Sequence, residues 1–140
     1  MSGDRTFVDT NVIVYAYDTS AGLKRQEARK ILIDLWKSGL GVVSTQVVQE
    51  FFVTVTRKLP KPMKPGKAKE VVSDLLKWNH VAIDGPMILD AIDLHSDHGY
   101  SFWDSLIIAA AERAECGLLL SEDLSPGRTI AGVTIKNPFT

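Results

Sequence analysis

Apolar residues along this chain alternate between short runs and helical stripes. Phe7-Val8 is a brief apolar run that stops at Asp9. Ala28, Ile31, Leu32, Leu35 and Trp36 recur at i, i+3, i+4, i+7 and i+8, one face of an amphipathic helix. Gly39 and Gly41 close that helix, and Val42-Val43 reads as a second strand. Val47, Val48, Phe51, Phe52 and Val55 again share a helical face. Pro60, Pro62 and Pro65 then force a break, because proline lacks a backbone donor and disfavours helix in the residue before it.

The pattern predicts a further helix over 66–78 and a strand over 80–83. Gly85-Pro86 puts proline where a helix can begin, and that helix ends near Gly99. Residues 101–116 carry the unbroken apolar block 106–111, which predicts a helix buried on several sides with Gly117 as its C-cap. Leu118-Leu119-Leu120 reads as a buried strand and Val133-Thr134-Ile135 as a terminal one. Strands alternating with helices argue for a three-layer α/β/α fold around a central parallel sheet. With 140 residues and no repeat or linker, one domain over 1–140 is expected.

Composition mainly excludes. At 45% apolar and 24% charged the chain is globular rather than disordered. Its one cysteine, Cys116, rules out an internal disulfide and a cysteine-based zinc site. No apolar run approaches the ~20 residues of a membrane span, and Met1-Ser2-Gly3-Asp4-Arg5 opens no signal peptide, so a soluble cytoplasmic protein is expected. A net charge of −1 argues against a wholesale basic nucleic-acid binder. The basic residues are nevertheless clustered: Arg57, Lys58, Lys61, Lys64, Lys67 and Lys69 stand together without an intervening acid. That run reads either as a solvated surface or as a contact for a phosphate backbone.

Acids occur where an α/β sheet places chemistry, just past the carboxyl ends of strands. Asp9 ends the first strand, and Asp123 follows the strand at 118–120 in Ser121-Glu122-Asp123. Asp104 stands in the first turn of the buried helix, three residues after Ser101. Glu50 interrupts an otherwise apolar segment, but it lies off the apolar arc beside Gln46, Thr54 and Arg57, where it also reads as solvated surface. Helix capping accounts for Asp9, Ser101 and Ser121 equally well, and the helix dipole favours an acid at Asp104. If the four converge, mutual repulsion keeps them ionised only around a cation, and oxygen-only ligation points to Mg²⁺ or Mn²⁺.

Phe-Val-Asp-Thr-Asn (7–11), Ser-Thr-Gln-Val-Val-Gln-Glu-Phe (44–51), Tyr-Ser-Phe-Trp-Asp-Ser-Leu-Ile (100–107), Leu-Leu-Ser-Glu-Asp-Leu (119–124) and Asn-Pro-Phe (137–139) give the chain a wider likeness. In this order, it resembles a PIN domain, and closely the VapC-type toxin ribonucleases of bacterial and archaeal toxin–antitoxin systems. The resemblance implies that Asp9, Glu50, Asp104 and Asp123 form an acidic metal pocket and carry catalysis. It implies that Thr10, Asn11 and Ser121 orient carboxylates or water. Many members have a further acid after the fourth position, where this chain has Leu124-Ser125-Pro126; Glu122, as the neighbour of a ligand, is expected to point elsewhere.

The implied activity is Mg²⁺- or Mn²⁺-dependent endoribonuclease hydrolysis of RNA to a 5′-phosphate and a 3′-hydroxyl. The implied partners are an RNA substrate, a cognate antitoxin and a second copy of the chain. Approach of RNA to four acids calls for a basic rim, which either the 57–69 run, with Arg57, Lys58, Lys61 and Lys64 as first candidates, or the pairs Lys24-Arg25 and Arg29-Lys30 would supply. A catalytically silent PIN module binding RNA or protein is the alternative, and loss of an acid would favour it. Receiver and haloacid-dehalogenase readings fit poorly, since Asn11 stands where the latter need a second aspartate. His95 and His98 lack a third ligand and read as surface, Cys116 as core, and Trp36, Trp78 and Trp103 as core or interface anchors.

Overall fold

The computed structural model describes residues 4–140. Six strands form one sheet: β1 (Thr6–Val8), β2 (Gly41–Ser44), β3 (Asn79–Val81), β4 (Leu118–Leu120), β5 (Thr129–Ile130) and β6 (Val133–Lys136). Their order is β3-β2-β1-β4-β6-β5, parallel throughout except for the β5–β6 pair. The helices are α1 (Thr10–Tyr17), α2 (Leu23–Ser38), α3 (Thr45–Arg57), α4 (Pro65–Leu75), α5 (Gly85–His98) and α6 (Phe102–Arg113). The outward crossovers pack α1 to α4 together and the return crossover packs α5 on α6, which gives helices flanking the sheet in the three-layer α/β/α arrangement.

The central strand explains the pattern at Phe7-Val8. With β2 on one side and β4 on the other, Thr6, Phe7 and Val8 are all buried, so the run has no polar alternation. Phe51 of α3, Ile13 of α1, Ile108 of α6 and Leu119 of β4 complete a core of fully buried side chains. In α6, residues 105–111 are all buried, as the apolar block predicts. No helix among the described residues is long and apolar enough to cross a membrane.

Several boundaries differ from expectation. The helix of the first stripe opens five residues before Ala28, because its solvent-facing first turn carries no stripe of its own. The strand expected over 80–83 is Asn79–Val81, at the sheet edge, where burial does not enforce alternation. The antiparallel edge strand β5 went unforeseen, since two residues are too few for a periodic signal.

The C-cap of α6 is also corrected. The helix ends at Arg113, and Glu115, not Gly117, takes the left-handed conformation with φ 58°. Its N–H donates to the Glu112 carbonyl and that of Cys116 to the Ala111 carbonyl, both at 2.9 Å, which is a Schellman closure. Gly117 serves close approach instead: a Cβ there would meet the Asp4 side chain at 3.0 Å. A left-handed non-glycine residue carries a cost of roughly 1–2 kcal/mol, partly offset in glycine by its extra unfolded-state entropy. Glu115→Gly is therefore expected to stabilise the protein by about 0.5–1 kcal/mol, read as a raised urea midpoint at unchanged slope.

Candidate active site

The strand order reverses between β1 and β4. The chain steps from β1 outward to β2 and β3, then returns to the other side of β1 as β4. A crevice opens beyond the carboxyl ends of strands at such a switch point. Asp9 and Asp123 leave the two strands that flank it, while Glu50 comes from α3 and Asp104 from the first turn of α6. All four carboxylates line one cavity of about 630 Å³, together with Thr10 and Asn11.

Asp9 is a helix cap and a wall of this cavity at once. It is the N-cap of α1, its Oδ1 accepting from the Thr10 N–H at 2.7 Å. Its Oδ2 accepts from the Ser121 hydroxyl at 2.8 Å. Ser121, fully buried, accepts in turn from the backbone N–H groups of Asp123 and Leu124. The Asp9 N–H donates to the Leu120 carbonyl at 2.9 Å, so main chain and side chains both tie β1 to β4 here.

The residues after Asp9 reach the other acids. Thr10 Oγ1 donates to Glu50 Oε1 at 2.8 Å. Asn11 Nδ2 donates to Asp123 Oδ2 at 2.9 Å, while Asn11 Oδ1 accepts from the Glu122 N–H. Ser101 Oγ caps α6 by accepting from the Asp104 N–H at 3.1 Å. Glu122 does point away, bound by Tyr15 Oη and Lys24 Nζ. Burial would raise its pKa, but these two donors outweigh that and hold it below the usual glutamate range.

Electrostatically the cavity is a concentration of uncompensated negative charge. Burial pushes the Asp9 carboxyl up from 3.8 to about 6, with Glu50 and Asp104 adding to the rise and the Ser121 and Thr10 hydrogen bonds opposing it. Burial, with the charges of Asp123 and Glu50, also raises Asp104, against the pull of Ser101. None of the four joins an ion pair among the described residues. An all-oxygen donor set of this kind suits a hard divalent cation. Among the described residues no three His, Cys, Asp or Glu side chains close into a cage for a metal. Mg²⁺ does not need one, because it keeps several waters and takes only one or two carboxylates directly.

Of the four basic candidates, Lys58 lines the cavity, and Arg57, Lys61 and Lys64 lie outside its walls. Lys58 caps α3 at its C-terminus, about two turns beyond Glu50, and reaches the rim. Two lining residues escaped the sequence reading. Gln46 is buried and donates from Nε2 to Glu50 Oε2 and to the Trp103 carbonyl, each at 3.3 Å. Its i, i+4 spacing from Glu50 is the signal that could have found it. Trp103, expected as a core or interface anchor, stands 63% exposed at the cavity wall next to Asp104. Trp36 is 53% exposed and Trp78 half-buried. His80, His95 and His98 are exposed and line no part of the cavity. Cys116 is buried in the core, its thiol pushed up to about 12 by burial.

Comparison with known proteins bears on the fold. The fold superimposes on a toxin–antitoxin complex from Klebsiella pneumoniae with a TM-score of 0.70 at 19% identity, covering 95% of this chain and 97% of that one. It superimposes on FitAB bound to an IR36 DNA fragment with a TM-score of 0.71 at 19% identity, covering 96% of each. The match to VapC20 of Mycobacterium tuberculosis, described as a sarcin–ricin loop cleaving toxin, has a TM-score of 0.62 at 16% identity, covering 81% of this chain and 86% of that one. No curated protein matches the chain. At these identities the structural likeness speaks for the fold. The PIN domain family model matches residues 6–129, the span from β1 to β5 that holds all four acids, and the chain therefore belongs to the PIN domain family.

Proposed function

We propose that this protein is a divalent-metal-dependent endoribonuclease and the toxin of a toxin–antitoxin pair. The observation that carries the reading is the convergence of Asp9, Glu50, Asp104 and Asp123 on one cavity at the switch point of a PIN-family sheet. The silent-module alternative would be favoured by loss of one of these four acids, and all four are present.

Mg²⁺ or Mn²⁺, when bound, would supply a water of lowered pKa and charge stabilisation at the phosphoryl and leaving oxygens. The four carboxylates are the residues that would hold it. Ser121 and the Thr10 N–H fix both oxygens of Asp9, Thr10 Oγ1 orients Glu50, and Asn11 orients Asp123. Each of these donors favours the ionised, ligating form of its acid. Lys58 at the rim offers the positive charge that draws a phosphodiester towards an otherwise repulsive pocket.

Toxin–antitoxin assemblies among the structural neighbours support an antitoxin partner. Exposed Ile33 and Trp36 of α2 line one surface groove with Leu32 and Leu75, apolar surface of the kind a partner protein covers. Pairing with a second copy belongs to the same reading.

Asp9→Asn is expected to reduce RNA cleavage by about 100-fold or more while leaving the circular dichroism spectrum unchanged. Mapping the ends of cleaved cellular RNA with and without Mg²⁺ checks it, and undiminished cleavage by the variant refutes the assignment. Thr10→Val, which removes only the hydroxyl on Glu50, is expected to weaken Mn²⁺ binding about 10- to 100-fold in calorimetric titration.

The charge on Asp9 also makes stability depend on pH. Folded Asp9 keeps its proton to about pH 6 and unfolded Asp9 only to 3.8, so this contribution is fully present below pH 3.8 and lost as pH rises through 6. In chelator at pH 8, Asp9→Asn is expected to be more stable than the parent by about 1–2 kcal/mol, with the gap closing below pH 4. Urea melts across this range, repeated with saturating Mg²⁺ to erase the difference, test it.

A further inference from the structure

Four acids and a single lysine make the cavity a poor electrostatic host for a polyanion. A contact that does not depend on charge would add to what Lys58 and a bound cation supply, and one lining residue is placed for it. Trp103 sits at the second position of α6, directly before Asp104, with 63% of its surface exposed. An indole left this open is not packing the core. Phe102 meets it edge-to-face, with ring centroids 5.1 Å apart and planes at 77°, which buttresses the ring without covering it.

The backbone beneath the ring is anchored to the acids. The Trp103 carbonyl accepts from Gln46 Nε2, and the same nitrogen donates to Glu50 Oε2. Gln46 is only 6% exposed, and its Oε1 is buried without a hydrogen-bond partner. One buried amide thus couples the carboxylate of α3 to the backbone that carries the indole.

We infer that Trp103 is the base-stacking residue of this nuclease, holding an unpaired nucleobase of single-stranded RNA beside the scissile phosphate. The inference rests on the nuclease reading and adds to it the residue that selects the substrate. Stacking on an aromatic face is insensitive to charge and tolerant of sequence, so it works where the acids repel the backbone. It demands a base that is free of its duplex partner, so Trp103 selects loops and single strands over helices. Gln46 acts through Trp103 and Glu50 as a positioning residue.

The test uses the full chain carrying Asp9→Asn, in magnesium buffer, titrated with a fluorescein-labelled single-stranded RNA 12-mer of mixed sequence and with the same strand as a duplex. Adding Trp103→Ala should weaken single-strand binding about 5- to 100-fold and leave duplex binding unchanged. Trp103→Phe should recover most of the affinity. The dependence of affinity on salt should keep its slope in Trp103→Ala, because stacking releases no counterions, whereas Lys58→Ala should flatten it by about one. In the otherwise wild-type enzyme, Trp103→Ala should raise KM by the same factor with little change in kcat. Equal single-strand affinity with and without the indole overturns the inference while RNA cleavage by the wild type leaves the nuclease reading standing. A change in sedimentation of Trp103→Ala with unchanged RNA affinity overturns it in favour of an interface with protein. Absence of both RNA binding and RNA cleavage removes both readings together.

Discussion

Gathering four carboxylates into one cavity is electrostatically unfavourable, and much of the surrounding structure holds them there. Asp9 is nearly buried, its carboxyl raised to about 6, and it stays in place because Ser121 and the Thr10 N–H occupy its two oxygens. Ser121 is itself held by the backbone N–H groups of Asp123 and Leu124. A fully buried serine therefore fastens the end of β1 to the turn after β4, across the sheet's switch point. Without that link the two strands could still pair, but their acids would have no common orientation.

The strain of this arrangement is local and useful. A site that repels itself favours a cation more than one already neutralised by lysine or arginine would. Of the basic residues nearby, Lys24 is bound to Glu122, and Lys58 stands at the rim without pairing to any of the four acids. Glu122 adjoins a cavity acid in sequence but is drawn off by Tyr15 and Lys24, which leaves Asp123 as the acid of that turn facing the cavity. Thr10 and Asn11, in the turn that Asp9 caps, donate to Glu50 and Asp123, so one short segment, residues 9–11, supplies one of the four acids and holds two others.

Much of this was legible in the residue order. The strand ends at Asp9 and before Ser121, the apolar block of α6 and the proline break all carry signals that local sterics and periodicity dictate. Other features had no local signal. Glu50 looks the same on a helical wheel whether it faces water or a cavity, and only the packing of α3 against α1 turns it towards Thr10. Lys58 is one of six similar residues in a run, and the direction in which α3 ends singles it out. Trp103 reads as an apolar anchor because sequence conveys hydrophobicity, not whether a neighbouring element arrives to cover it. Glu115 takes a left-handed position that would normally announce glycine, since tertiary closure of α6 overrides the local preference.

By itself the amino-acid sequence determined the α/β class, the helix and strand succession, and which acids stand at strand ends and helix starts. These follow from interactions between residues a few positions apart, where covalent geometry fixes who meets whom. Only the tertiary structure decided that the acids share a cavity and which side chains orient them. Those contacts join residues 40 and 112 positions apart, and their distances depend on the order in which strands enter the sheet.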